Sequence, residues 1–120
     1  MTNLIRSNGV EIYYFDTNNP ISILKSLIFF NNFLSTYSPN LIQTWLYHSD
    51  FFSSFFKFKK IPIIWNIRHT NSSFKAAPIH RLLTIKICSI LSYFVPKIII
   101  SCSKSGIEYH EKIGYSKRFK

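Results

Sequence analysis

The sequence predicts an α/β fold: a partial Rossmann-like, doubly wound parallel sheet of about four strands alternating with helices. Short runs rich in Val, Ile, Tyr, Phe and Trp, at 10–15, 41–45, 61–67 and 97–101, are separated by segments with helical apolar spacing or strong cap residues. Strand followed by helix, four times over, implies right-handed crossovers with helices covering a parallel sheet. The strands at 41–45 and 61–67 also run out into polar clusters that each contain a histidine. In an open parallel sheet the carboxyl ends of the strands are where ligands bind.

Leu4-Ile5-Arg6-Ser7-Asn8-Gly9 looks like the last turn of a helix ended by a glycine. Val10 to Phe15 has strand composition, and Asp16-Thr17-Asn18-Asn19 is turn chemistry. Asn19 and Pro20 serve as cap and first residue of a helix reaching about Tyr37. Its apolar stripe is Ile23, Leu27, Phe30 and Leu34, widened by Leu24 and Ile28. Ser38-Pro39-Asn40 breaks it.

The strand Leu41 to Trp45 stops near Tyr47-His48-Ser49-Asp50, where polar side chains can cap a helix over Phe51 to Phe58. Lys59 and Lys60 place positive charge at its carboxyl end. Ile61 to Ile67 is a buried strand ended by Arg68-His69-Thr70-Asn71, and Thr70 to Pro78 is a loop. Leu83, Ile87, Ile90, Leu91 and Phe94 recur at helical spacing within a helix from Ile79 to Val95, which Pro96 ends. Lys97 to Ser101 is a short strand. Ser103 caps a last helix, Lys104 to Ile113, closed by Gly114.

A chain of 120 residues has room for one domain, here taken as a single incomplete one, and 47% hydrophobic content supports a core. The 18% aromatic content excludes a disordered chain. The net charge of +10 lies mostly after Phe51 and points to an anionic partner: nucleic acid, an acidic membrane surface or a phosphorylated small molecule. Cys88 and Cys102 are too few for a disulfide framework or a metal knuckle, which suggests reduced thiols in the cytoplasm and no metal site. Lys86, Ser89, Ser92, Pro96 and Lys97 interrupt the most apolar window, 82–101, and argue against a membrane-spanning helix. No long apolar leader follows Met1.

With Gly9, Gly106 and Gly114 the only glycines, neither a nucleophile elbow nor a phosphate-binding glycine loop can be assembled. Phe51, Phe52, Phe55, Phe56 and Phe58 crowd one helix beside apolar strands and read as core, which disfavours nucleic acid. A basic α/β module on an anionic membrane or RNA stays as the alternative, supported if Lys57, Lys59, Lys60, Lys75 and Lys86 share a face away from the strand ends.

The runs Gln43-Thr44-Trp45-Leu46-Tyr47-His48-Ser49-Asp50, Ile64-Trp65-Asn66-Ile67-Arg68-His69-Thr70-Asn71 and Ser101-Cys102-Ser103, followed by His110 and Gly114-Tyr115, occur in a definite order. Together they resemble the amino-terminal domain of a group 1, family 4 glycosyltransferase of GT-B fold. The resemblance implies sugar transfer from a nucleotide-sugar donor to a glycan or lipid-linked acceptor, with retention and without a cofactor or obligatory metal. It implies a cleft between two Rossmann-like domains and a cytoplasmic location, peripheral on the inner face of the membrane. His48 then corresponds to the histidine beside the reacting sugar; the alternative is a helix-capping role. Arg68, His69 and Asn71 close the next strand, where a guanidinium suits a phosphate; the alternative is a solvated loop. Ser103 and Lys104 open a helix, a ready anion site, although an ordinary cap explains Ser103 equally well. His110, in mid-helix, is expected to be structural or exposed rather than catalytic. The family's first strand, glycine-rich loop and donor-binding domain are not matched, so on this resemblance the chain is a fragment, inactive alone and prone to aggregate.

Overall fold

The computed structural model describes residues 2–68 and 78–120, apart from the Asn3 side chain, and the chain divides into two compact units, Met1–Ser38 and Pro39–Lys120.

The first unit holds two helices, α1 (Thr2–Ser7) and α2 (Pro20–Tyr37). Gly9, at φ 77°, carries the left-handed turn that leaves α1. Asn19 caps α2 as its sequence suggests, its Oδ1 accepting from the Ser22 N–H at 2.8 Å. Residues 10–15 form no strand, which corrects the expectation of four. β-forming composition gives a strand only where another backbone edge accepts its hydrogen bonds. Here the rings pack on α2 instead: Tyr13 lies 5.0 Å from Phe33 and Phe15 lies 5.3 Å from Phe30. The buried side of α2 therefore follows Phe30, Phe33 and Leu34, while Ile23, Leu24 and Ile28 stay exposed.

The second unit is a three-stranded parallel sheet in the order β1 (Ile42–Trp45), β2 (Ile63–Ile67), β3 (Ile98–Ser101). Ile42 pairs with Ile63, and Ile64 with Ile98. Trp65 and Ile99 are fully buried, as continuous apolar strands of a covered parallel sheet should be. The two crossovers carry α3 (Tyr47–Ser53) with a 3₁₀ segment (Ser54–Lys59), and α4 (Ile79–Leu91). Both turn in one sense, and α3 packs against α4 on one face of the sheet. After β3 comes α5 (Lys104–Lys112), ended by Gly114 at φ 99°. The terminal residues then lie along β3, the Ile99 N–H donating to the Arg118 carbonyl at 3.0 Å and Phe119 bridging Ile99.

Two helices differ from expectation in instructive ways. α3 begins at Tyr47, four residues before Phe51, because Leu46 makes the whole turn out of β1 at φ 76°, ψ 152°. The hydroxyls of Ser53 and Ser54 both donate to the Asp50 carbonyl, at 2.8 and 3.0 Å, and this competition with the backbone ladder coincides with the change to 3₁₀. Three residues per turn then set Ser53, Phe56 and Lys59 inward and Phe55 and Phe58 outward. The reading of that phenylalanine cluster as core thus holds for Phe56 and fails for Phe55 and Phe58, the latter 89% exposed.

α4 is turned relative to its expected stripe. It meets the core through Ile85, Cys88 and Ser89, continued by Ser92, and leaves Leu83, Ile90 and Phe94 in solvent. Small inward residues let α4 lie against α3, the Cys88 thiol reaching the Tyr47 carbonyl, and Ser92 anchors the chain end: the Ser116 N–H donates to Ser92 Oγ and the Ser116 hydroxyl to the Ser92 carbonyl, both at 2.8 Å.

Candidate functional site

The three strands of the second unit run the same way, so their carboxyl ends form one rim. His48, Arg68, Ser103 and Lys104 all emerge there, directly after β1, β2 and β3 respectively. His69 and Asn71, the other two residues expected to bind substrate, lie outside the described residues.

His48 sits exposed in the first turn of α3 rather than at its cap. The residue that places it is Leu46. Its φ, ψ pair is one that only glycine adopts freely, at a cost on the order of 1–3 kcal/mol for other residues. That cost is met by hydrogen bonds around the turn: the Leu46 N–H donates to the Asn66 carbonyl at 3.4 Å, and the Asp50 N–H to the Leu46 carbonyl at 3.0 Å. A strained turn between a strand and a helix is invisible to composition.

Arg68 is exposed and lays its guanidinium over the Trp45 ring, 4.3 Å from its centre. Thr44 reaches Asp50 on the α3 side of the sheet, so its neighbour Trp45 points to the other side and draws Arg68 with it. Arg68 therefore lies on the side of the sheet opposite the Thr44–Asp50 contact. Ser103 does act as the α5 cap, its Oγ accepting from the Gly106 N–H at 3.1 Å, and Lys104 is exposed beside it.

Behind the rim is a buried polar cluster. The Tyr47 hydroxyl meets His110 Nε2 at 2.6 Å, and His110 Nδ1 meets the Gly106 carbonyl at 2.7 Å. A carbonyl only accepts, so the proton is assigned to Nδ1, leaving Nε2 to accept from Tyr47. Of the two expected placements, structural or exposed, His110 takes the buried one and joins α3 to α5. The Cys88 thiol donates to the Tyr47 carbonyl at 3.4 Å, and burial, then the nearby Asp50, pushes its ionisation up. Asp50 itself has no exposed surface; its one side-chain partner is the Thr44 hydroxyl, and Oδ2 has none among the described residues. Burial raises its carboxyl to about 7, against a smaller lowering by the Thr44 hydrogen bond. Tyr115 Oη is likewise buried with no hydrogen-bond partner among the described residues.

The sequence motif placed Asp50 in the right run but as a cap. Its role as a buried carboxyl, paired across six positions with Thr44, could be read only from the strand and helix phases together.

Among the described residues no three His, Cys, Asp or Glu side chains converge to hold a metal ion, and no helix is long and apolar enough to cross a membrane. Two shallow depressions, each of about 410 Å³, lie in the first unit beside Tyr13 and include none of the rim residues. The chain matches no model of a known protein family and no curated protein.

Proposed function

We propose that the second unit is the acceptor-side part of a retaining GT-B glycosyltransferase, which moves a sugar from a nucleotide-sugar donor to a glycan or lipid-linked acceptor. What carries the reading is the position of His48, Arg68, Ser103 and Lys104 just past the carboxyl ends of three adjacent parallel strands, the edge at which α/β sheets bind ligands. In this reading the exposed His48 imidazole faces the donor sugar and hydrogen-bonds the hydroxyls or charge that change at the transition state. Arg68 and the amino end of α5, with Lys104, attract phosphate. A GT-B enzyme binds its donor with a second Rossmann-like domain, so in this reading transfer by these 120 residues alone is not expected. Holding both substrates in one cleft is worth roughly 7–11 kcal/mol of barrier, and half a cleft forfeits it.

The test is a hybrid in which the chain is completed with the missing parts of a GT-B enzyme. Transfer from a nucleotide sugar should appear, and His48→Ala should lower kcat by about 10²-fold or more with the fold intact. A near-normal rate in that variant would remove His48 from the reaction, and turnover by the 120-residue chain alone would contradict the assignment of donor binding elsewhere.

A further inference from the structure

The outer side of α4 is an apolar stripe in the wrong place for a core. Ile79, Leu82, Leu83, Ile90 and Phe94 fall on one side at helical spacing, and each is between 44% and 85% exposed. Lys86 stands within the stripe and is exposed. The stripe continues onto the 3₁₀ segment: Lys57 Nζ lies 5.6 Å from the centre of the Phe94 ring, and Phe55 and Phe58 project outward beside Lys57 and Lys60. The 3₁₀ segment leads into β2, and Phe94 precedes β3, so this end of the surface lies at the amino ends of the strands, opposite the rim of His48 and Ser103.

Charge identifies what covers it. From Phe51 to Ile107 the sequence contains no Asp or Glu, while the described part of that span carries Lys57, Lys59, Lys60, Arg68, Arg81, Lys86, Lys97 and Lys104. A second copy of this face would bring like charges together. Phosphates of RNA would satisfy the cations, and Phe55 or Phe58 could stack on bases, but Ile79, Leu82, Leu83 and Ile90 offer no flat surface for a base. Aliphatic side chains interleaved with cations suit an anionic bilayer, where the apolar side enters the headgroup boundary and the cations meet lipid phosphates.

We infer that the outer face of α4, with the adjoining 3₁₀ segment, docks this protein on anionic lipid bilayers as a peripheral, in-plane anchor. The inference is independent of sugar transfer, since it uses the outer face of α4 and the 3₁₀ segment and none of the rim residues.

The test uses the full chain and vesicles of equal parts phosphatidylcholine and phosphatidylglycerol, with phosphatidylcholine vesicles alone for comparison. The chain should float with the anionic vesicles and bind the neutral ones at least tenfold more weakly. Lys86→Gln should weaken binding about fivefold, the contribution of one cation near the surface. Leu83→Ser/Ile90→Ser/Phe94→Ser, all at exposed positions, should weaken it by about 100-fold by removing three apolar side chains from lipid. As a readout that does not depend on that triple variant folding, an environment-sensitive fluorophore on Ile90→Cys, in a Cys102→Ser background, should shift to the blue with anionic vesicles. Failure to bind anionic vesicles, unchanged emission of the probe, or wild-type binding by a folded triple variant would overturn the proposal. So would tighter binding to single-stranded RNA that is lost in Phe55→Ser/Phe58→Ser and kept in the α4 triple variant.

Discussion

Asp50→Asn should make the protein insensitive to a pH change that destabilises the wild type. In the native chain the carboxyl is pushed to about 7 by burial, from an ordinary value of 3.8, whereas in the unfolded chain it ionises normally. A raised native value means that the folded state holds the proton over a range in which the unfolded state has lost it. The stability this contributes is complete below about pH 4 and is lost as pH rises through 7. A shift of about 3 units corresponds to roughly 4 kcal/mol, a large part of a typical 5–15 kcal/mol. The amino end of α3 favours the anion, but by only about 0.3–1 kcal/mol, too little to cancel the burial effect. Geometry agrees. Thr44 Oγ1 lies within reach of both Asp50 and, at 3.3 Å, the Ile64 carbonyl. A protonated Asp50 donates to Thr44, which frees the single Thr44 proton for Ile64. Urea unfolding from pH 4 to pH 8.5 measures this directly. Asparagine carries a constant cost or benefit at this site, so the informative quantity is the change in the variant-minus-wild-type difference, which should rise by about 4 kcal/mol in favour of Asp50→Asn across that range. Parallel pH profiles for the two proteins would refute the buried carboxyl.

Two other outcomes are expected. Tyr47→Phe deprives His110 Nε2 of the hydroxyl it meets at 2.6 Å and should cost about 1–3 kcal/mol, read as a Tm lowered by 4 °C or more; an unchanged Tm would show that the contact does not hold α3 to α5. Of the two free thiols, exposed Cys102 should react at once with an aromatic disulfide reagent and buried Cys88 only on unfolding, so equal native reactivity would contradict the placement of α4.

The elements legible in the sequence were those fixed by local chemistry. Asn19-Pro20 opens α2 and Ser103 opens α5 because a side-chain oxygen, and at Pro20 a fixed φ, act within three residues. The strands over Ile42–Trp45, Ile63–Ile67 and Ile98–Ser101 followed from apolar runs bounded by breakers. What was hidden depended on partners distant in the chain. Val10 to Phe15 had the composition of a strand and found rings of α2 instead of an edge. On α4, periodicity marked an apolar side but could not say that the interior takes the small Cys88, Ser89 and Ser92 and leaves Ile90 and Phe94 outside. At the rim, the motif identified the positions after each strand, whereas the seat of Arg68 over Trp45 depends on the pleat at Thr44 and Trp45.

The buried bond between Tyr47 and His110 has a mechanical consequence. It joins the residue beside His48 to the helix that Ser103 opens, so the exits of β1 and β3 are braced as the two feet of one arch. Lifting either foot alone means pulling a hydroxyl and an imidazole apart in a dry interior. Whatever settles on one corner of this rim therefore stiffens the other, and the outer corners respond to load together.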